Sequence, residues 1–144
     1  MSYVCPICNV QPSSHSLTKI AHINEVVYYY TCPSKAILYY DVSGIINHYD
    51  GVLSEIPETK EWVWIFDSTD FGIMHASQTT VAIELARLIS NKFSYNLKKI
   101  IIINPTLYVS IMHDLLLPFL NKKIKNIIEI NYSLQSVEEV MKMV

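Results

Sequence analysis

The sequence predicts an α/β domain: a mixed, largely parallel sheet of four to five strands with helices on both faces. Three observations carry this reading, all within residues 61–120. Trp62 to Asp67 and Lys99 to Ile103 are short runs rich in β-branched and aromatic residues, apolar on both faces, as strands covered on both sides are. Between them Ala82, Leu85, Ala86, Ile89 and Phe93 fall at helical spacing. A strand, a helix and a second strand in this span imply a right-handed crossover onto a parallel sheet.

The remaining elements are read around that unit. Residues 1–24 have a different texture, CPICNVQPSSHSLTKIAH, and are expected as an N-terminal arm preceding a domain of residues 25–144. Asn24 to Thr31 is a strand by its Val and Tyr content. After Pro33 and Ser34, residues Leu38, Val42, Ile45, Ile46, Tyr49 and Leu53 form one apolar face. Gly44 inside it suggests two short helices meeting near Asp41 to Gly44. Ser54 to Lys60 is a polar loop. Ile127 to Ile130 is a further short strand. Ser136 and Glu139 have the spacing of a capping box, opening a terminal helix with a stripe of Leu134, Val137, Val140, Met141 and Val144.

Composition excludes several classes of function. Half of the 144 residues are hydrophobic and 17% are charged, which is the balance of a folded chain with a core. The net charge is −2 and Lys and Arg form no stripe interleaved with aromatics, so nucleic acid is not an expected partner. None of the three glycines sits in a phosphate-cradling loop. Three cysteines and no secretory signal point to a reducing, cytoplasmic setting. Ile100 to Leu120 is apolar enough to resemble a membrane span. Pro105 and Pro118 interrupt it, however, and Asp114 would cost about 3 kcal/mol there, so a buried strand followed by an amphipathic helix is expected instead.

Candidate sites are few. Cys5 and Cys8 form a CxxC, the usual half of a zinc site, because both thiolates reach one tetrahedral metal. His15, His22 and Cys32 are available to complete it, and the expected ligand set is Cys5, Cys8, His22 and Cys32. The plainer reading is an irregular arm with reduced thiols. Asp67, Asp70 and His75 follow a strand end, the edge where ligands bind in open α/β sheets. Asp67–Asp70 is equally an ordinary turn, and no nucleophile motif accompanies it. His48 and His113 read as partly buried helical histidines. Lys98, Lys99, Lys122, Lys123 and Lys125 either cap solvated ends or meet anionic head groups in peripheral membrane contact. Tyr108, Ile111, Met112, Leu115, Leu116 and Phe119 recur at helical spacing; such a face either packs on the sheet or lines an apolar cavity.

Ile65-Phe66-Asp67 with Phe71-Gly72, Leu97 to Ile103, Asn104-Pro105, and Pro118-Phe119-Leu120 with Lys123-Ile124, in that order, resemble the CRAL-TRIO domain family of lipid-transfer and retinal- and tocopherol-binding proteins. Ile65-Phe66-Asp67 with Phe71-Gly72 resembles the family's strand and turn. Leu97 to Ile103 followed by Asn104-Pro105 resembles its L-x-x-I-x-I-I-N strand and N-(A)-P step. Pro118-Phe119-Leu120 with Lys123-Ile124 resembles its P-F-L…K-I segment. Tyr28 to Ala36, Gly44 to His48 and Leu53 are similar to the divergent branch found in Rho-regulatory and macro-domain-linked proteins. The resemblance implies a CRAL-TRIO-like, non-enzymatic domain binding a lipid or other apolar small molecule. It also implies that Tyr108, Ile111, Met112, Leu115, Leu116 and Phe119 line a pocket beneath a mobile gate. The divergent branch implies a different outcome, a protein-interaction module with a reduced pocket that binds a small GTPase or a second copy of itself.

Overall fold

The computed structural model describes residues 3–143. Five strands form one sheet in sequence order: β1 (Thr18–Ile23), β2 (Val26–Thr31), β3 (Glu61–Asp67), β4 (Leu97–Ile103) and β5 (Ile128–Ile130). β1 is antiparallel to β2, and every later pairing is parallel. Because the parallel order never reverses, each right-handed crossover lands on the same face of the sheet. That face carries α2 (Val42–Leu53), α4 (Thr79–Leu88), α5 (Leu107–Leu116) and α6 (Lys122–Ile127). The opposite face is covered by α7 (Val137–Lys142), whose Val140 packs with Val26, Val63, Ile65 and Ile103. Two short helices complete the set, α1 (Pro6–Val10) and α3 (Ile73–Ala76).

β3 is the sheet's centre and the reason for its two cores. Trp62, Trp64 and Phe66 point to the multi-helix face, while Val63 and Ile65 point to the α7 face. This is the period-2 alternation of a strand, with both sets apolar. Neither indole leaves a buried donor unpaired. Trp62 Nε1 donates to the Phe93 carbonyl and Trp64 Nε1 to Thr31 Oγ1, both at 3.0 Å.

Several local expectations are refined. Thr18–Ile23, read as part of an irregular arm, is an edge strand. Its side chains are mostly exposed, so no apolar alternation announced it. A bulge between Lys19 and Ala21 and a left-handed Asn24 (φ 55°) turn the chain into β2. The stretch after Cys32 is a 3₁₀ turn over Pro33–Lys35 and a further turn over residues 37–40, and α2 begins only at Val42, capped by Asp41, which accepts from the Gly44 N–H. α4 runs into a π-helical turn over Ile89–Phe93. α5 ends at Leu116, where Pro118 opens a 3₁₀ turn over Leu117–Phe119. Ser136 caps α7 through the Glu139 N–H, but Glu139 Oε2 accepts from Gln135 rather than from Ser136. Val144, expected on the stripe of α7, lies outside the described residues.

Candidate functional site

Between the sheet and its multi-helix face lies a cavity of about 180 Å³. Its floor is Trp64 and Phe66 of β3 with Ile100 and Ile102 of β4. Ile45 and Tyr49 of α2 close one end. Val81, Ala82 and Leu85 of α4 form one wall, and Val109, Met112 and Leu116 of α5 form the other. None of the described residues lining it is Asp, Glu, Lys or Arg.

The polar groups at the closed end are tied to one another. The Tyr49 hydroxyl donates to the Ser16 carbonyl at 3.1 Å and lies 3.0 Å from Thr31 Oγ1, which in turn accepts from Trp64. Burial pushes the Tyr49 phenol well above its ordinary pKa, although the Thr31 contact works the other way, so it stays protonated. The space is therefore apolar in chemistry as well as composition. At the partly exposed rim stand Tyr39, His75, Gln78 and His113. The His75 ring packs on Tyr39 and Phe71, and its burial lowers its pKa.

Of the six cavity residues expected from helical spacing, Met112 and Leu116 line the space. Tyr108, Ile111 and Leu115 turn outward, with 37%, 54% and 45% of their surfaces exposed. α5 carries apolar residues around nearly its whole circumference, so periodicity cannot choose the inward arc. The structure chooses Val109, Met112 and Leu116. Phe119 sits past the helix end, with the Arg87 guanidinium 5.2 Å from its ring. Its carbonyl accepts from Ser90 Oγ in the π-helical turn, and Asn121 Nδ2 donates to Ser90 O and Ser94 Oγ. The C-terminal end of α5 is thus pinned to the neighbouring helix.

Asp67 and His75 do not pair. Asp67 Oδ1 accepts from Thr69 N–H, Thr69 Oγ1 and Asn104 Nδ2, and Oδ2 accepts from the Tyr30 hydroxyl. Burial works to raise the Asp67 pKa, but these bonds outweigh it and hold the carboxylate below its usual range. His75 Nδ1 accepts from the Gly72 N–H.

A second constellation lies at the N-terminal end. The ligand atoms of Cys5, Cys8, His15 and His48 lie within 4.8 Å of one another. The cluster joins Cys5 and Cys8 of the expected set with His15 and His48, while His22 and Cys32 lie outside it. His22 sits on edge strand β1 paired with Val27, and the Cys32 thiol contacts Ser34 Oγ at 3.4 Å. His48 comes from α2, thirty-three residues beyond His15, and no sequence spacing links it to a CxxC.

The fold is thus a singly wound α/β sheet with an apolar cavity beneath one layer of helices. The CRAL/TRIO domain model matches residues 5–143, so the chain belongs to the CRAL-TRIO family. Proteins of this family generally bind lipids or hydrophobic small molecules. No curated protein sequence matches the chain. Among solved structures, the protein of "Crystal structure of Sfh5" is similar with a TM-score of 0.63 at 12% identity. The match covers 81% of this chain and 46% of that one, so this chain spans less than half of that protein's length. No helix of the described residues is long and apolar enough to cross a membrane.

Proposed function

We propose that the domain holds the hydrocarbon part of a lipid, or another apolar small molecule, in the cavity between β3–β4 and helices α2, α4 and α5, without catalysing a reaction on it. The observation that carries this reading is a void of about 180 Å³ with no Asp, Glu, Lys or Arg among the described residues that line it. Apolar cavities of about 150 Å³ stay dry and accept a benzene-sized guest. A void left empty forfeits the dispersion contacts of its walls, and filling it recovers them, at about 0.8 kcal/mol per methylene withdrawn from water. The space is smaller than the roughly 300–1,000 Å³ of drug-sized pockets. One ring or a short alkyl segment fits as the walls stand; a full acyl chain or a two-chain lipid requires α5 to move away from α4. The rim residues Tyr39, His75, Gln78 and His113 then meet the polar end of the guest.

A second reading rests on the outer face of α5. Leu107, Ile111 and Leu115 are exposed in a row, beside exposed Ile73 and Met74 of α3. A patch of this kind serves protein or membrane contact, and it supports the interaction-module alternative.

The test is native mass spectrometry of the purified chain together with transfer of a fluorescent single-chain lipid from vesicles. Wild type should retain apolar mass and accept the probe. Ala82→Trp, which fills the void, should fold and lose both, at a cost of about 1–3 kcal/mol if the fit is tight. A wild-type chain that neither carries nor accepts an apolar guest would leave the interaction module as the better reading.

A further inference from the structure

We propose that Cys5 Sγ, Cys8 Sγ, His15 Nδ1 and His48 Nδ1 bind one zinc ion in a closed, structural site that clips the N-terminal segment to α2. The distances are those of ligands awaiting a metal. His15 Nδ1 lies 3.6 Å from Cys5 Sγ and 3.7 Å from Cys8 Sγ, and His48 Nδ1 lies 3.8 Å from Cys8 Sγ. Zinc–sulfur bonds of about 2.3 Å and zinc–nitrogen bonds of about 2.0 Å, set tetrahedrally, give S···N edges of about 3.5 Å. These separations are long for thiol hydrogen bonds, and two thiols converge on one imidazole nitrogen.

The far side of each ring fixes its tautomer. His15 Nε2 lies 3.0 Å from Asp41 Oδ2, and His48 Nε2 lies 3.0 Å from the Leu17 carbonyl. Both partners are acceptors, so in the neutral rings both Nε2 atoms carry the hydrogen. Both Nδ1 lone pairs therefore face the cysteines, which is the tautomer a metal ligand needs. A carboxylate and a carbonyl behind the histidines are the usual outer partners of metal-bound imidazoles.

Gly44 supports the same arrangement. Glycine is among the poorest helix formers, yet it sits within the first turn of α2. A Cβ at this position would run into the Asp41 carboxylate and come to 2.9 Å from His15 Nε2. The glycine makes room for the carboxylate–histidine pair.

The donor set favours zinc. Two thiolates and two imidazoles in a tetrahedron are its common structural set. Two thiolates also neutralise the dication, which suits a site where Cys5, His15 and His48 are each less than a tenth exposed. Four protein ligands leave no open position for substrate, so the ion acts as a staple.

The test starts from the full chain expressed with zinc supplied and purified without chelator. Elemental analysis should find about one zinc per chain. Cobalt-loaded protein should show the absorption of tetrahedral thiolate coordination. Cys8→Ser and His15→Ala should lose the metal; His22→Ala and Cys32→Ser should keep it. In case the first pair folds poorly, a wild-type measurement stands beside them: chelator should release two thiols to titration that the loaded protein masks. Protein that carries no zinc, with Cys5 and Cys8 titratable before any chelator is added, would overturn the site. Loss of metal from His22→Ala or Cys32→Ser would overturn the ligand set.

Discussion

The Tyr49 hydroxyl donates to the Ser16 carbonyl at 3.1 Å. Each of these residues follows a histidine of the Cys/His cluster, His48 and His15, and each also lines the apolar cavity. The end wall of the cavity and the cluster are thus built on the same two backbone segments. Tyr49→Phe keeps the ring in place and removes the donor, leaving a partly buried carbonyl with one partner fewer. Unfolding by urea should show a loss of about 0.5–1.5 kcal/mol, as loss of one hydrogen bond costs. Zinc content should be unchanged, because no ligand atom is altered. Loss of metal in this variant would mean that the hydroxyl, rather than the four ligands, holds the segments together.

Gly44→Ala sets two effects of opposite sign against each other. Alanine in a helix is worth about 1 kcal/mol over glycine. The added methyl, however, meets the Asp41 carboxylate, which must leave His15 Nε2. Loss of an outer partner typically lowers metal affinity about 10–100-fold. Competition with a zinc-binding dye should show that loss. Unchanged affinity with a higher Tm would show that the Asp41–His15 pair is not part of a metal site.

Asp67 should make stability fall in acid. Its pKa in the folded state lies below the value of about 3.9 expected in the unfolded chain. Its contribution is therefore complete above that unfolded value and is lost as pH falls through the folded one. Tyr30→Phe removes one of the hydrogen bonds that hold the carboxylate ionised. NMR titration of the Asp67 carboxyl carbon should give a higher midpoint in the variant, and stability between about pH 5 and pH 2 should depend less steeply on pH. Identical midpoints would mean that Thr69 and Asn104 alone set the depression.

The core of the fold was legible because β3 and β4 are apolar on both faces, and few chain environments other than a covered sheet accept Trp62 to Phe66 or Ile100 to Ile103. The edges were not. β1 is exposed on most of its length, so hydrogen bonding to β2, and not burial, makes it a strand. The same distinction governs the sites. Cys5 and Cys8 are visible because two ligands three residues apart carry their own signature. His48 is supplied by packing of α2 on the arm, a long-range contact with no local trace. On α5, the all-round apolar surface hid which arc faces the cavity, so the spacing could not separate Met112 and Leu116, which line it, from outward-facing Tyr108, Ile111 and Leu115.

That outward arc supplies the last prediction. Leu107, Ile111 and Leu115 are spaced four residues apart on the exposed side of the helix whose inner side walls the cavity. If guests enter from a bilayer, this face is well placed to meet it, and each half-exposed side chain that enters the membrane contributes about 1 kcal/mol, roughly half the value for full burial. Ile111→Asp combined with Leu115→Asp removes that contribution and adds two like charges. Surface changes of this kind usually alter folding stability by no more than about 0.5 kcal/mol, so Tm should hardly move. Vesicle co-sedimentation should fall at least tenfold, and transfer of a fluorescent lipid between vesicles should slow by a similar factor. Binding of a water-soluble apolar probe should be unaffected, because Val109, Met112 and Leu116 are intact. If sedimentation and transfer both match wild type, the stripe does not serve a membrane. A change of oligomeric state in the same variant, measured by analytical ultracentrifugation, would then place a second copy of the chain on this face.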